Sequence, residues 1–217
     1  MGGARRIRVE GSELTAYRAV LRQRIHADLD RVEDHMPIGP LTVRVRVRGA
    51  PIQADFPLIG YAPHGRGFSL WPNLATDLTA VLDGHLLPTL AHESHHVLRW
   101  RHGEGHGRTV LGFVVAEGLA NHFSALVTGN AIEHDATEEV RLLAVRAPEN
   151  GDTAVGMAEY RQWFLGDEDA GLPPGAGYRL GNAVVGHHLA QCGGHPGDLH
   201  AADSRSFRAA LEAVARG

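Results

Sequence analysis

The chain has 217 residues, 43% of them hydrophobic, and a formal net charge of −4, which suits one globular domain and gives neither a basic nucleic-acid surface nor an acidic disordered tail. It contains no lysine, which excludes a phosphate-binding P-loop, Schiff-base catalysis and Ser-Lys dyads. The single cysteine, Cys192, rules out an internal disulfide. The N-terminal stretch has no apolar core of signal-peptide length, and no segment is read as long enough to span a bilayer, so a cytoplasmic protein with no membrane partner is expected.

Residues 12–35 predict an amphipathic helix, with Leu14, Tyr17, Leu21, Ile25, Leu29, Val32 and Met36 at spacings of three and four. Pro37 and Gly39-Pro40 end it. "LTVRVRVR" (41–48) alternates as a half-buried strand, Val43, Val45 and Val47 on one side and Arg44, Arg46 and Arg48 on a solvated other side. "PLIGYAPHG" and "GFSLWPN" predict two more strands, joined near Gly65-Arg66-Gly67. The helical period returns at Asp77. Pro88 starts a fresh helix running to Arg101, broken by Gly103 and Gly105. A strongly apolar helix follows over 108–129, closed by Gly129. Further helices are predicted over 136–146, 154–165, 177–191 and 203–216, with a loop at 166–177. The order gives an α+β fold in a single domain, 1–217: a helix and small N-terminal β-sheet over 1–75, then a mostly helical part over 76–217.

Within "LAHESHHVLRW" (90–100), His92, Glu93 and His96 form H-E-x-x-H. On a helix at about 100° per residue, His92 and His96 share one face a turn apart, and Glu93 lies on the flank. Two imidazoles at that spacing converge on one metal ion, and the glutamate beside them reaches a water instead. His95 falls on the opposite flank and is expected outside the ligand set or on the surface. His102 and His106, in a glycine-rich turn past the helix, are not expected at the metal. The flanking Leu90, Ala91, Val97, Leu98 and Trp100 make this a largely buried helix. Glu117 is the only charged residue (Asp, Glu, Lys or Arg) between Arg108 and Gly129. A carboxylate buried there costs several kcal/mol unless paired or bound to metal, which makes Glu117 the candidate third ligand. Gly118 beside it is expected to let this helix pack closely on the H-E-x-x-H helix.

H-E-x-x-H followed by a glutamate on the next helix resembles the gluzincin, thermolysin-like clan of metallopeptidases. "AHESHHVLR" with "VAEGLANHF" is closer to a bacterial family of predicted zinc-dependent proteases, and "GYRLGNAVV" (177–185) matches a later G-Y-x-x-G segment of that family. The resemblance implies a zincin-like fold with Zn²⁺ on His92, His96 and Glu117 and with Glu93 as general base. It points to Tyr178, after the "PPGAG" loop, as donor to the developing oxyanion, with His187 and His188 as weaker candidates and Tyr160 lacking special neighbours. Asn121 stands where such enzymes often carry an acidic residue that orients a ligand histidine; His122 has no assigned role. "GFSLWPN" resembles the edge strand along which gluzincins lay an extended substrate. A zinc metallopeptidase acting on a peptide is therefore expected. The alternatives are a zinc hydrolase or lyase acting on a small molecule, and a non-catalytic metal-binding or scaffold protein; an intact Glu93 speaks against the last.

Overall fold

A computed structural model describes residues 4–48, 56–147 and 154–217. These contain four strands and eight α-helices: β1 (Arg5–Val9), α1 (Arg18–His35), β2 (Leu41–Val45), β3 (Leu58–His64), β4 (Gly67–Pro72), α2 (Leu78–Gly84), α3 (Leu86–His102), α4 (Val110–Thr128), α5 (Glu138–Arg146), α6 (Met157–Leu165), α7 (Ala176–Cys192) and α8 (Arg208–Arg216). The mixed α+β architecture agrees with the expectation from the element order. Residues 12–17, expected to open α1, form a bend and a short 3₁₀ turn instead, and Tyr17 is 42% exposed.

The sheet has the order β1-β2-β4-β3, with β1–β2 and β2–β4 parallel and β3–β4 antiparallel. β1 has no counterpart in the sequence reading. Its five residues give the core only Ile7 and Val9, while Arg5 on the same side is held by Asp30 and Glu33 of α1. The expected edge strand is also corrected. "GFSLWP" is β4, paired on both sides; its residues are almost all buried, as an interior strand requires. The half-exposed β3 takes the edge. The apolar side of the sheet packs on α1 and α3.

Each helix that builds the site starts and stops for a local reason. Asp77 caps α2 by accepting from the Thr79 amide. Pro88 lies in the first turn of α3, where no intrahelical donor is needed. Thr109 Oγ1 caps α4 by accepting from Gly112, and Gly129 closes it in the left-handed region at φ 73°. α4 is long and apolar enough to cross a membrane, which corrects the expectation that no segment reaches that length. Here most of it is buried between two apolar clusters, one built on the sheet with α1 and α3, the other on α5 to α8. The buried Arg99 of α3 ties in the C-terminal segment, donating to the carbonyl of Ala202 at 2.9 Å and to Glu104 at 3.3 Å.

Gly118 does allow a close approach, but to α7 and not to the H-E-x-x-H helix. A Cβ on Gly118 would fall under 3.0 Å from the Gly181 oxygen, and one on Gly181 equally close to the Val114 oxygen. Backbone cannot yield as a flexible side chain does. Gly181→Ala is therefore expected to destabilise the protein by about 1–3 kcal/mol or more, read as a lower urea midpoint, and to displace α7 from α4.

Candidate metal centre

α3 brings His92 and His96 onto one face with their Nε2 atoms 3.0 Å apart. α4 crosses so that Glu117 Oε2 lies 3.2 Å from His92 Nε2 and 3.5 Å from His96 Nε2. One donor atom from each of the three lies within 4.8 Å of the other two. Two imidazole nitrogens and one carboxylate oxygen are a donor set that suits zinc and leaves a fourth position open. The carboxylate that the sequence marked as costly to bury is 3% exposed. Burial alone would raise its pKa, but His96 and His92 outweigh burial and hold it well below the usual carboxylate range. Burial pushes His96 down to about 3, so its ring is neutral at pH 7, the form in which an imidazole can hold a metal. His92 is likewise subject to burial, but Glu117 and then Glu93 overcome it and raise its pKa.

Glu93 lies beside this cluster, 5% exposed. Its carboxylate receives the backbone N–H of Ala62, and its Oε2 has no hydrogen-bond partner among the described residues. Gly60 faces it: a Cβ there would sit 2.5 Å from Oε1. Burial pushes Glu93 up to about 7, where a carboxylate can both take and return a proton. The backbone of Ala62 is a shared anchor. Its carbonyl accepts from Trp100 Nε1 at 2.9 Å and from His106 Nε2 at 3.0 Å. The β3–β4 pairing shifts register between Tyr61 and His64, around this residue.

Other side chains fall differently from the expectation. His106 is at the centre: its Nδ1 is 3.8 Å from Glu117 Oε1 and its ring 4.4 Å from that of His96, with Tyr61 stacked on it. Gly105 and Gly107, both at positive φ, fold the chain back after α3 and return this ring to the site. Paired glycines around a histidine, just past the H-E-x-x-H helix, are the sequence signal for it. Tyr160 is also there, its hydroxyl donating to Glu117 Oε1 at 3.4 Å. A hydrogen bond links Tyr160 to Tyr178. Burial and the Glu117 charge raise both phenols above their ordinary range, so they stay protonated as donors. Nothing in the α6 sequence distinguishes Tyr160; its ring is placed against Phe113 of α4 and stacks on Phe164 of its own helix.

Tyr178 stands at the mouth, 37% exposed, with its ring edge-on to Phe164. Neither His187 nor His188 lines the cleft; His188 packs on Phe207. His95 is not a surface residue: it is fully buried against Phe123, with Nε2 donating to the Pro196 carbonyl at 3.2 Å. His102 lies beside His200. Asn121 Nδ2 donates to Asn182 Oδ1 at 2.9 Å, which leaves the Asn121 oxygen to meet His92. His122 donates to the Asn182 backbone oxygen at 2.9 Å. The cleft beside His92 and Glu93 encloses about 720 Å³ and is walled by Leu58, Ile59, Leu165 and Tyr178, with Arg48 at its edge.

Residues 74–207 match the family described as "Predicted Zn-dependent protease (DUF2268)". Comparison with curated proteins and with solved structures gives no match.

Glu93 sets a pH dependence of stability in the metal-free protein. Its folded-state pKa is raised from 4.5 to about 7, so its contribution is fully present below 4.5 and is lost as pH rises through 7. Glu93→Gln is neutral throughout. Relative to the wild type, metal-free Glu93→Gln should gain about 1–3 kcal/mol of unfolding free energy between pH 5 and pH 8. Parallel denaturation curves at all pH values would contradict an unpaired buried carboxylate.

Proposed function

The chain belongs to the family of predicted Zn-dependent proteases, and from this membership and the His92–His96–Glu117 cluster we propose a zincin-like metallopeptidase of gluzincin type. His92, His96 and Glu117 hold Zn²⁺, and Glu93 is the general base. The observation that carries the reading is the convergence of these donors with a buried glutamate, raised to about 7, on their flank. Metal storage needs no such base.

Bound zinc supplies Lewis-acid chemistry, acidifying a water and polarising a carbonyl. Glu93 takes the proton of the attacking water and passes it to the leaving amine. Tyr178, protonated and at the mouth, donates to the oxyanion. Tyr160 fixes the outer oxygen of Glu117, and Asn121, itself held by Asn182, orients His92. The outer edge of β3, whose Leu58–Gly60 line the cleft, offers main-chain groups to an extended peptide. That edge, unpaired among the described residues, favours a peptide over a small molecule.

One zinc per chain is expected by titration calorimetry and elemental analysis, removable by chelator with loss of activity. Glu93→Gln should keep the zinc and lose turnover by at least about 10²–10⁴-fold; wild-type turnover in that variant would refute its role. Tyr178→Phe should lower kcat about 10²-fold with zinc affinity unchanged. Asn121→Ala should weaken zinc about 10–100-fold, and an unchanged dissociation constant would remove Asn121 from the support of His92.

A further inference from the structure

The solvent side of the sheet carries a feature that the metal centre does not use. Alternation in β1 and β2 sends Ile7, Val9, Val43 and Val45 inward and Arg6, Arg8 and Arg44 outward. The row goes on past β2. Arg46 still donates its backbone N–H to Leu70, Val47 packs on the core, and Arg48 lies over Trp71 at 5.3 Å. The parallel register sets Arg8 directly opposite Arg44. Like charges so placed destabilise a sheet.

Among the described residues, one carboxylate answers this row: Glu10, 3.8 Å from Arg46. Arg6, Arg8 and Arg44 have no ion-pair partner there. Near the far end of the row, a hollow of about 640 Å³ is lined by Arg6, Arg66 and Arg101 and by no carboxylate. The sequence alone suggested a solvated strand face on three arginines. The fold adds the two of β1 and, in a chain of net charge −4, concentrates them on one surface.

The near end of the row settles its partner. Arg48 also lines the cleft that holds His92 and Glu93. Alternate residues of a strand repeat every ~6.6 Å, and so do alternate side chains of an extended peptide. We propose that this face binds an acidic, extended stretch of the polypeptide substrate and that Arg44, Arg46 and Arg48 lead it to the cleft. The direction of travel rests on the peptidase reading; the binding itself does not. Affinity should come mainly from charge, and therefore fall with salt.

The test is fluorescence anisotropy of a fluorescein-labelled deca-glutamate peptide, titrated with the full-length Glu93→Gln protein at low and physiological salt. Deca-lysine, a single-stranded decanucleotide and phosphatidylserine vesicles serve as comparison probes. Deca-glutamate should bind, and added salt should weaken it. Arg8→Gln with Arg44→Gln should weaken it at least tenfold, while Arg216→Gln on α8 leaves it unchanged. The double variant relieves a repulsion and should fold; should it not, Arg6→Gln and Arg44→Gln singly should each cost several-fold. Unchanged affinity in these variants overturns the proposal, as does tighter binding of the oligonucleotide or the vesicles. Zinc titration of the same sample separates the two readings. Peptide binding without zinc uptake upholds the face and defeats the catalytic reading alone; zinc uptake without peptide binding defeats the face alone.

Discussion

A single carboxylate inside an apolar helix organises this molecule. Glu117 sits amid a helix apolar enough to pass for a membrane span, and it is almost fully removed from water. Such a group is tolerated only where positive charge or hydrogen-bond donors surround it. α3 supplies two imidazoles, the turn after α3 a third ring, and α6 a phenol. Each lies within 4 Å of one of its oxygens, so three separate parts of the chain are fixed with respect to one atom group. A metal ion in the midst of these donors would complete the compensation that the rings and the phenol provide only in part.

Satisfying that carboxylate demands close packing around α4, and the packing is bought with side chains that are missing. Gly118 and Gly181 let two backbones touch where any Cβ would separate them. The same approach brings Asn182 to Asn121 and to His122, so that α7 reaches His92 through one intervening amide. On the opposite side, Gly60 makes room for Glu93. The absence of a Cβ at these positions does as much for the centre as the presence of its imidazoles and carboxylates.

What could be read in the sequence follows the range of each constraint. His92, Glu93 and His96 are related by one helical turn, so their spacing alone places them on adjoining faces. Glu117 announces itself because a lone charge in an apolar run needs a reason. His106 and Tyr160 carry no such local mark; they are defined by where a glycine turn and a distant helix end up. β1 escaped notice because one of its inward residues is an arginine whose partners lie in α1. His95 stays out of the His92–His96–Glu117 set, as one of its two expectations had it, but its burial depends on Pro196, a hundred residues away, whose carbonyl accepts its hydrogen bond. β3 and β4 were found as strands, but which of them is the edge is a property of the whole sheet.

The Ala62 backbone gives the fold a form of proofreading. The backbone of one residue serves three clients: its N–H meets Glu93, and its carbonyl holds Trp100 and His106. Successive residues of a strand point their backbone groups to opposite sides, so a slip of β3 by one position would turn all three attachments away together. Glu93 would lose its only described donor at the moment His106 lost its anchor. A misregistered sheet is therefore not a weaker version of this centre but no centre at all, and the register shift built into β3 beside β4 marks the one alignment in which it exists.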